Sequence, residues 1–330
     1  MSLNLTKKKV VIDFDSDTIR FMSNQCLILE LPTCIIRKKS ETPVLIDYGA
    51  NALKRRDAIL DTEQFIIPIK NGKIADFESA KLLFKVALRH ILRLNIFCDI
   101  YVIITGGMPS NDKQTIFDVI SSIGYKNVYL IQRPAVMSHI LTDMFHTNAF
   151  LYMDNDITEL TLTLDNQFLN SYSINVSKSA LNTIVRNKMQ NDAKVIITNN
   201  ITTDVVNQIC SLYKTDCSTI SITGKDTITN NDKSVEIKVK EFYPIVSKVY
   251  SNITNLLKAA MMDNGAKLTK LICNKTLVIC GKGTNVLGFE EFIYHNVQIG
   301  CTNLKNNNFI LQAADYLVTN NDVWTNQHVE

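Results

Sequence analysis

The stretch from residue 66 to residue 93 constrains the fold more than any other part of the sequence. A short apolar run ends at Asn71-Gly72, a dipeptide that accepts positive φ angles and turns the chain tightly. Asp76 then stands where a helix N-cap is expected, with Glu78 in the first turn. Apolar residues follow at helical spacing, and basic residues close the last turn. The stretch predicts a capped amphipathic helix that is entered from a tight turn and packs one face on a core.

Strand-like and helix-like segments alternate along the rest of the chain. The predicted strands include residues 9–14, 26–36, 99–105, 125–131, 149–153 and 275–280. The predicted helices include residues 110–124, 179–189, 202–213 and 242–262, and a hairpin is predicted from 159–164 and 171–174. Residues 225–233 are polar, and Asn230-Asn231-Asp232 marks a loop. Alternation of this kind predicts an α/β class protein.

Composition excludes several classes of function. A chain of 330 residues can bury two cores, and its net charge of +3 is too small to predict binding to nucleic acid. No apolar run is long enough to span a membrane, and the first residues do not have the order of a signal peptide. The eight cysteines lack C-x-x-C and zinc-site spacings, so we expect reduced thiols, a cytoplasmic protein and no metal site.

The wording of the turn and helix carries a family resemblance. The passage P-I-K-N-G-K-I-A-D-F-E, residues 68–78, resembles a passage of the MreB-like bacterial actins, and the resemblance continues collinearly to about residue 317. It implies an actin-like two-lobed fold, in which each lobe is a ribonuclease-H-like mixed sheet flanked by helices with a small inserted subdomain. Lobe one would comprise residues 1–150, with a subdomain near 31–67 and residues 311–330 packed back on it. Lobe two would comprise 151–310, with a subdomain near 179–244.

The resemblance also implies where ATP would bind, namely between the lobes, with its phosphates held by two glycine-bearing hairpin turns. Backbone N–H groups approach a phosphate closely only where side chains are absent. The first turn resembles D-L-G-T-x-N-T, in which Asp13 and the hydroxyl of Ser16 match the family. Asp15 stands where the family has glycine, which adds bulk and a negative charge beside a polyanion. At about 4 Å and a surface-like dielectric, this repulsion amounts to roughly 4 kcal/mol.

The second turn resembles D-I-G-G-G-T-T-E, and it contains no glycine in this chain. Alignment on Thr158 predicts a turn two residues shorter than the family pattern, with Asp154 as the counterpart of Asp13 and Asp156 as a further acid. The resemblance implies that Asp13 and Asp154 hold a hydrated Mg²⁺. The alternative is that both carboxylates cap turns at strand ends.

The remaining site segments of the family are also altered. The E-E-P passage, whose glutamate orients the attacking water, is Gln132-Arg133-Pro134 here, and a guanidinium cannot act as a base. The T-G-G-G turn is Cys280-Gly281-Lys282-Gly283, in which Gly281 and Gly283 either contact adenosine or permit the turn. We therefore assign no catalytic residue, and we expect either no cofactor or weakly bound ATP with Mg²⁺.

An apolar pair, Ile96 and Phe97, lies where MreB-like chains carry residues that enter the membrane. Basic residues of the preceding helix would suit anionic lipid headgroups. The alternative is that both side chains fold back onto the core.

The sequence thus predicts a cytoskeletal protein that forms filaments alone or with related MreB-like chains. We expect these filaments to act in cell shape at the inner face of the membrane, with weak or lost ATPase activity. One alternative is an active ATP-hydrolysing filament protein with unusual phosphate turns. A second alternative is a small-molecule kinase of the same superfamily, although no acceptor-site base is visible in the sequence.

Overall fold

The computed structural model describes residues 7–93, 97–140, 144–164, 167–176, 178–197 and 205–320. The chain divides into two compact units. The first unit is Met1–Asp143 together with Asn308–Glu330, and the second is Met144–Asn307.

The first unit is built on a five-stranded mixed sheet. The strands of the whole unit are β1 (Lys8–Phe14), β2 (Thr18–Ser23), β3 (Cys26–Pro32), β4 (Ile35–Lys38), β5 (Leu45–Tyr48), β6 (Glu63–Ile66), β7 (Ile69–Lys70), β8 (Lys73–Ile74), β9 (Cys98–Ile104) and β10 (Val128–Gln132). Its helices are α1 (Gly49–Arg55), α2 (Phe77–Leu92), α3 (Ser110–Ser122), α4 (Arg133–Ile140) and the C-terminal helix Phe309–Asn320. The main sheet has the order β10-β9-β1-β2-β3, and a smaller sheet has the order β5-β4-β6. Strands β1, β2 and β3 form an antiparallel meander, whereas β9 and β10 run parallel to β1.

The turn and helix predicted from residues 66–93 are confirmed. Asn71 and Gly72 have φ angles of 51° and 67° and connect β7 to β8. The carboxylate of Asp76 accepts a hydrogen bond of 2.8 Å from the backbone N–H of Ser79, which is the N-cap interaction expected from the sequence. The inner face of α2 buries Leu83 and Phe84 in the core of the first unit.

The C-terminal helix packs on the main sheet of the first unit. The ammonium group of Lys9 donates a hydrogen bond of 2.8 Å to the carbonyl oxygen of Val318. The backbone N–H of Gln25, in the β2–β3 turn, donates one of 2.6 Å to the buried carboxylate of Asp315. These contacts hold the end of the described chain against the strands at its beginning.

The second unit repeats the architecture of the first. Its strands are β11 (Ala149–Met153), β12 (Thr158–Leu164), β13 (Gln167–Ile174), β14 (Val195–Ile196), β15 (Thr219–Asp226), β16 (Asp232–Lys238), β17 (Leu277–Cys280) and β18 (Cys301–Leu304). Its helices are α5 (Lys178–Lys188), α6 (Tyr243–Asp263), α7 (Gly265–Cys273) and α8 (Phe289–Val297), and the C-terminal helix of the first unit is α9. The main sheet has the order β13-β12-β11-β17-β18, an antiparallel meander followed by two parallel strands. A smaller sheet has the order β14-β15-β16.

Three predicted segments have different bounds in the structure. The strand predicted at 26–36 is divided into β3 and β4, because Pro32 has no N–H with which to continue the ladder. The loop marked at Asn230-Asn231-Asp232 is observed as a connection over residues 227–231, since β15 ends at Asp226 and β16 begins at Asp232. The helix predicted at 202–213 is observed over residues 205–209, within the part that the structure describes.

Candidate functional site

The first candidate turn connects β1 to β2. Phe14 and Ile19 are the last paired residues of this hairpin, and the backbone N–H of Asp15 donates a hydrogen bond of 2.9 Å to the carbonyl oxygen of Thr18. One carboxylate oxygen of Asp15 accepts hydrogen bonds of 2.7 Å from the backbone N–H groups of Asp17 and Thr18. Asp favours this local bonding, since its short side chain reaches the backbone two and three residues ahead. Asp15 is buried, and Ser16 is half-buried beside it.

Asp13, one residue pair before this turn, lies between two arginines. Its cross-strand partner Arg20 places Nη2 2.7 Å from Oδ2 of Asp13, and Arg133 places Nη2 3.5 Å from Oδ1. The side chains of all three residues are at most 3% exposed. Arg20 also donates a hydrogen bond of 3.2 Å to the side-chain oxygen of Asn308. Two buried guanidinium groups therefore neutralise the carboxylate that the sequence singled out as a magnesium ligand.

The second candidate turn, between β11 and β12, has the same hydrogen-bond pattern. Met153 pairs with Thr158, and the backbone N–H of Asp154 donates a hydrogen bond of 3.0 Å to the carbonyl oxygen of Ile157. One carboxylate oxygen of Asp154 accepts hydrogen bonds of 2.7 Å from the backbone N–H groups of Asp156 and Ile157. The two turns are therefore equal in length and equal in bonding.

The registers of the two hairpins correct one part of the sequence alignment. Asp154 occupies the position of Asp15, and the position of Asp13 is taken in the second unit by Tyr152. The sequence-based pairing of Asp154 with Asp13 followed the family motifs, each of which begins with an aspartate. Which residues are equivalent in the two hairpins is decided by the cross-strand register.

Thr158 has a structural partner. Its side chain is fully buried, and its hydroxyl donates a hydrogen bond to the carbonyl oxygen of Val176, which follows β13. The carbonyl oxygen of Asn155, in the second turn, accepts a hydrogen bond of 3.0 Å from the backbone N–H of Ser179, in α5. The second turn is thus tied to the start of α5 by its own backbone.

Gly281 and Gly283 are required by close packing on Met153. Gly281 has a φ angle of 101°, and a Cβ atom there would lie 2.4 Å from the carbonyl oxygen of Met153. A Cβ atom on Gly283 would lie 2.3 Å from Cγ of Met153. The space on the Cβ side of both glycines is therefore filled by β11, so a side chain is excluded at both positions.

A small pocket of about 20 Å³ lies next to Gly283. It is lined by Leu181, Val206, Asn207, Cys210, Lys282, Gly283, Asn285 and Val286. This volume has room for about one water molecule. The hydroxyl of buried Tyr250 donates a hydrogen bond of 2.8 Å to the carbonyl oxygen of Gly283 and fixes one wall.

The groups that the sequence assigned to Mg·ATP contact other residues of the chain. The turn amides are hydrogen-bonded to carboxylates of their own turns, Asp13 is paired with Arg20 and Arg133, and Met153 packs on Gly281 and Gly283. The described ranges also contain no cluster of three or more His, Cys, Asp or Glu side chains positioned to bind a metal ion.

The two arginines that contact Asp13 were not predicted from the sequence as its partners. Arg133 was recognised there only as a replacement for a catalytic glutamate, and Arg20 was not singled out at all. Arg20 could have been found, since Thr18 to Met22 read as a strand returning antiparallel to β1. A charged residue in that strand needs a buried partner of opposite charge.

The predicted membrane pair is described in part. Phe97 is 74% exposed and directly precedes β9, whereas Ile96 lies outside the described residues. Arg89 and His90 are in the last turn of α2, before this segment. No helix in the described ranges is both long enough and apolar enough to cross a membrane.

Comparison with known proteins identifies the class and then the family. This chain is similar to two crystal structures of MreB 5 of Spiroplasma citri, one bound to AMPPNP and one bound to ADP. Each has a TM-score of 0.84 and 18% sequence identity. Each comparison covers 95% of this chain, with 96% of the AMPPNP-bound chain and 97% of the ADP-bound chain. The MamK double helical filament is similar with a TM-score of 0.77 and 13% identity, covering 95% of this chain and 99% of that chain. The fold is therefore the actin-like two-lobed fold. A family model described as MreB/Mbl protein matches residues 7–311, and the chain belongs to the MreB/Mbl family. No curated protein matches the sequence.

Proposed function

We propose that this chain is a cytoskeletal protein that forms filaments alone or with related MreB-like chains. In this proposal the two compact units are the two lobes of the subunit, and the filaments act in cell shape at the cytoplasmic face of the membrane. The observation that carries the proposal is the family match over residues 7–311, which includes nearly all of both units. The printed description of MamK as a double helical filament gives an example of assembly on the same fold.

Assembly is tested by sedimentation and electron microscopy of the purified protein at several concentrations. Filaments formed with no added nucleotide, or on addition of a related MreB chain, would support the proposal. A protein that stays monomeric with and without ATP, and with and without that second chain, would contradict it.

The proposal includes weak or absent nucleotide binding and hydrolysis. Its support is the placement of Asp13 between Arg20 and Arg133, together with the acidic turns at Asp15 and Asp154. A carboxylate held by two buried guanidinium groups is poorly available to a hydrated cation. Titration with fluorescently labelled ATP in the presence of Mg²⁺ is the direct test, with phosphate release measured in parallel. Submicromolar affinity with turnover above background would refute this part.

A second candidate function is an active nucleotide-hydrolysing filament protein. The observation in its favour is that MreB 5 of Spiroplasma citri, which has this fold, was crystallised with AMPPNP and with ADP. The same titration separates the two candidates, because only the active protein should release phosphate at a rate that depends on Mg²⁺.

We also propose that Phe97, with its sequence neighbour Ile96, attaches the filament to lipid. The exposure of Phe97 supports this, because an aromatic side chain moved from water into the bilayer interface gains roughly 1.5–3 kcal/mol. One such anchor is weak, but a filament presents many and binds through avidity.

The variant Phe97→Ser should therefore abolish co-sedimentation with anionic liposomes while assembly in solution is kept. As a control, Phe168→Ser replaces another exposed phenylalanine and should leave lipid binding unchanged. Equal pelleting of Phe97→Ser and wild type would refute the anchor.

A further inference from the structure

The two hairpin turns bind an anion that is part of the chain. In each turn, two successive backbone N–H groups converge at 2.7 Å on one carboxylate oxygen, belonging to Asp15 in the first unit and to Asp154 in the second. Successive N–H groups that point to one place form an anion-binding concavity. In both turns this concavity is filled by the carboxylate of the first residue of the turn.

The repetition makes a chance arrangement a poor explanation. The turns lie in different units, they share only their aspartates at the first and third positions, and they have the same backbone closure from the first N–H to the fourth carbonyl. Both first-position aspartates are buried, with exposures of 1% and 3%. A buried carboxylate is stable only with hydrogen-bond donors or opposite charges around it, and the turn amides supply two donors each.

We propose that Asp15 and Asp154 are built-in substitutes for phosphate, each occupying the amides that a turn with glycine at that position would offer to an external phosphate group. This inference rests on the proposed weakness of nucleotide binding and names its cause. Occupancy and charge act together, because an incoming polyanion must displace a carboxylate from its donors and also approach that negative charge. Glycine at both positions would remove the side chain and leave the backbone free to bind an anion.

The test compares the purified full-length wild type with two double variants, Asp15→Gly with Asp154→Gly, and Asp15→Asn with Asp154→Asn. The glycine pair empties the amides. The asparagine pair removes the charge but keeps a side-chain oxygen that can accept the same hydrogen bonds. Labelled ATP with Mg²⁺ is the probe, and inorganic triphosphate is the competitor that shows whether the phosphates are bound.

We expect the glycine pair to bind labelled ATP at least about tenfold more tightly than the asparagine pair, and inorganic triphosphate to compete. Equal affinity of the two variants would overturn the occupancy argument. Glycine variants that keep the wild-type circular dichroism but gain no affinity would overturn the inference and leave the proposed function standing. Wild-type protein that already binds as tightly as the glycine pair would overturn both.

A measurement on the wild type alone covers the case in which the variants do not fold. The amide protons of Asp17, Thr18, Asp156 and Ile157 should exchange slowly with solvent, because each donates to a carboxylate. Exchange as fast as that of Thr42, in a loop of exposed residues, would show that the carboxylates do not hold these amides and would overturn the inference.

Discussion

Replacement of Arg20 by methionine should destabilise the first unit strongly. Nη2 of Arg20 lies 2.7 Å from Oδ2 of Asp13, and both side chains are at most 3% exposed. At an effective dielectric constant of about 20, two unit charges at this distance attract by about 6 kcal/mol. Removal of one partner from a buried pair costs about 3–5 kcal/mol, because the other charge is left without compensation. Arg133 stays 3.5 Å from Asp13 and retains part of that compensation, so we expect a loss of about 3 kcal/mol.

Calorimetry measures this loss, since it can resolve the transitions of the two units. For a unit of this size, about 3 kcal/mol lowers Tm by about 6–12 °C. Methionine is chosen because its unbranched side chain replaces the aliphatic stem of arginine and keeps the core filled.

The matched control is Arg37→Met. Arg37 pairs with Asp76 at 3.3 Å, but these side chains are 20% and 31% exposed, and an ion pair near solvent contributes only about 0–1 kcal/mol. Its Tm should fall by less than about 4 °C. If Arg20→Met lowers Tm no more than Arg37→Met does, the argument that Asp13 is held by a buried charge pair is refuted.

Three further predictions concern pH, thiols and packing. Burial raises the pKa of the Asp315 carboxyl, so its charge destabilises the fold as pH rises above the unfolded value of about 3.9; Asp315→Asn should raise Tm at pH 7 and match wild type near pH 3, and a lower Tm at pH 7 would contradict this. Burial raises the pKa of the Cys34 thiol to about 12, so maleimide followed by mass spectrometry at pH 7 should leave it unmodified, and its rapid labelling would refute the described burial. The thiols expected to react are the exposed ones, Cys26, Cys217 and Cys273. Gly283→Ala should lower Tm through its clash with Met153, and Met153→Ala in the same chain should recover part of the loss; additive effects would show that the two residues do not couple.

Several features of the fold follow from local sequence. The turn at Asn71-Gly72 and the cap at Asp76 depend on residues within a few positions of each other, and the structure has both. The strand at residues 149–153 has the bounds that the sequence predicted. Residues 225, 226, 232 and 233 belong to strands β15 and β16 although their own side chains are polar. The alternating apolar residues of these strands, Ile220, Ile222, Val235 and Ile237, lie outside residues 225–233.

The sequence by itself determined the family, the alternation of strands and helices, and the presence of aspartates where the family has glycines. Only the tertiary structure decided what those residues contact. Asp13 and Arg133 are distant in sequence and meet because β1 and β10 belong to one sheet. Met153 occupies the space where a side chain on Gly283 would lie, because β11 lies beside β17. The equivalence of Asp154 with Asp15 likewise depended on the registers of two hairpins. Caps and turns are set by neighbours along the chain, whereas charge pairs, packing and register depend on contacts between distant segments, which a single sequence does not specify.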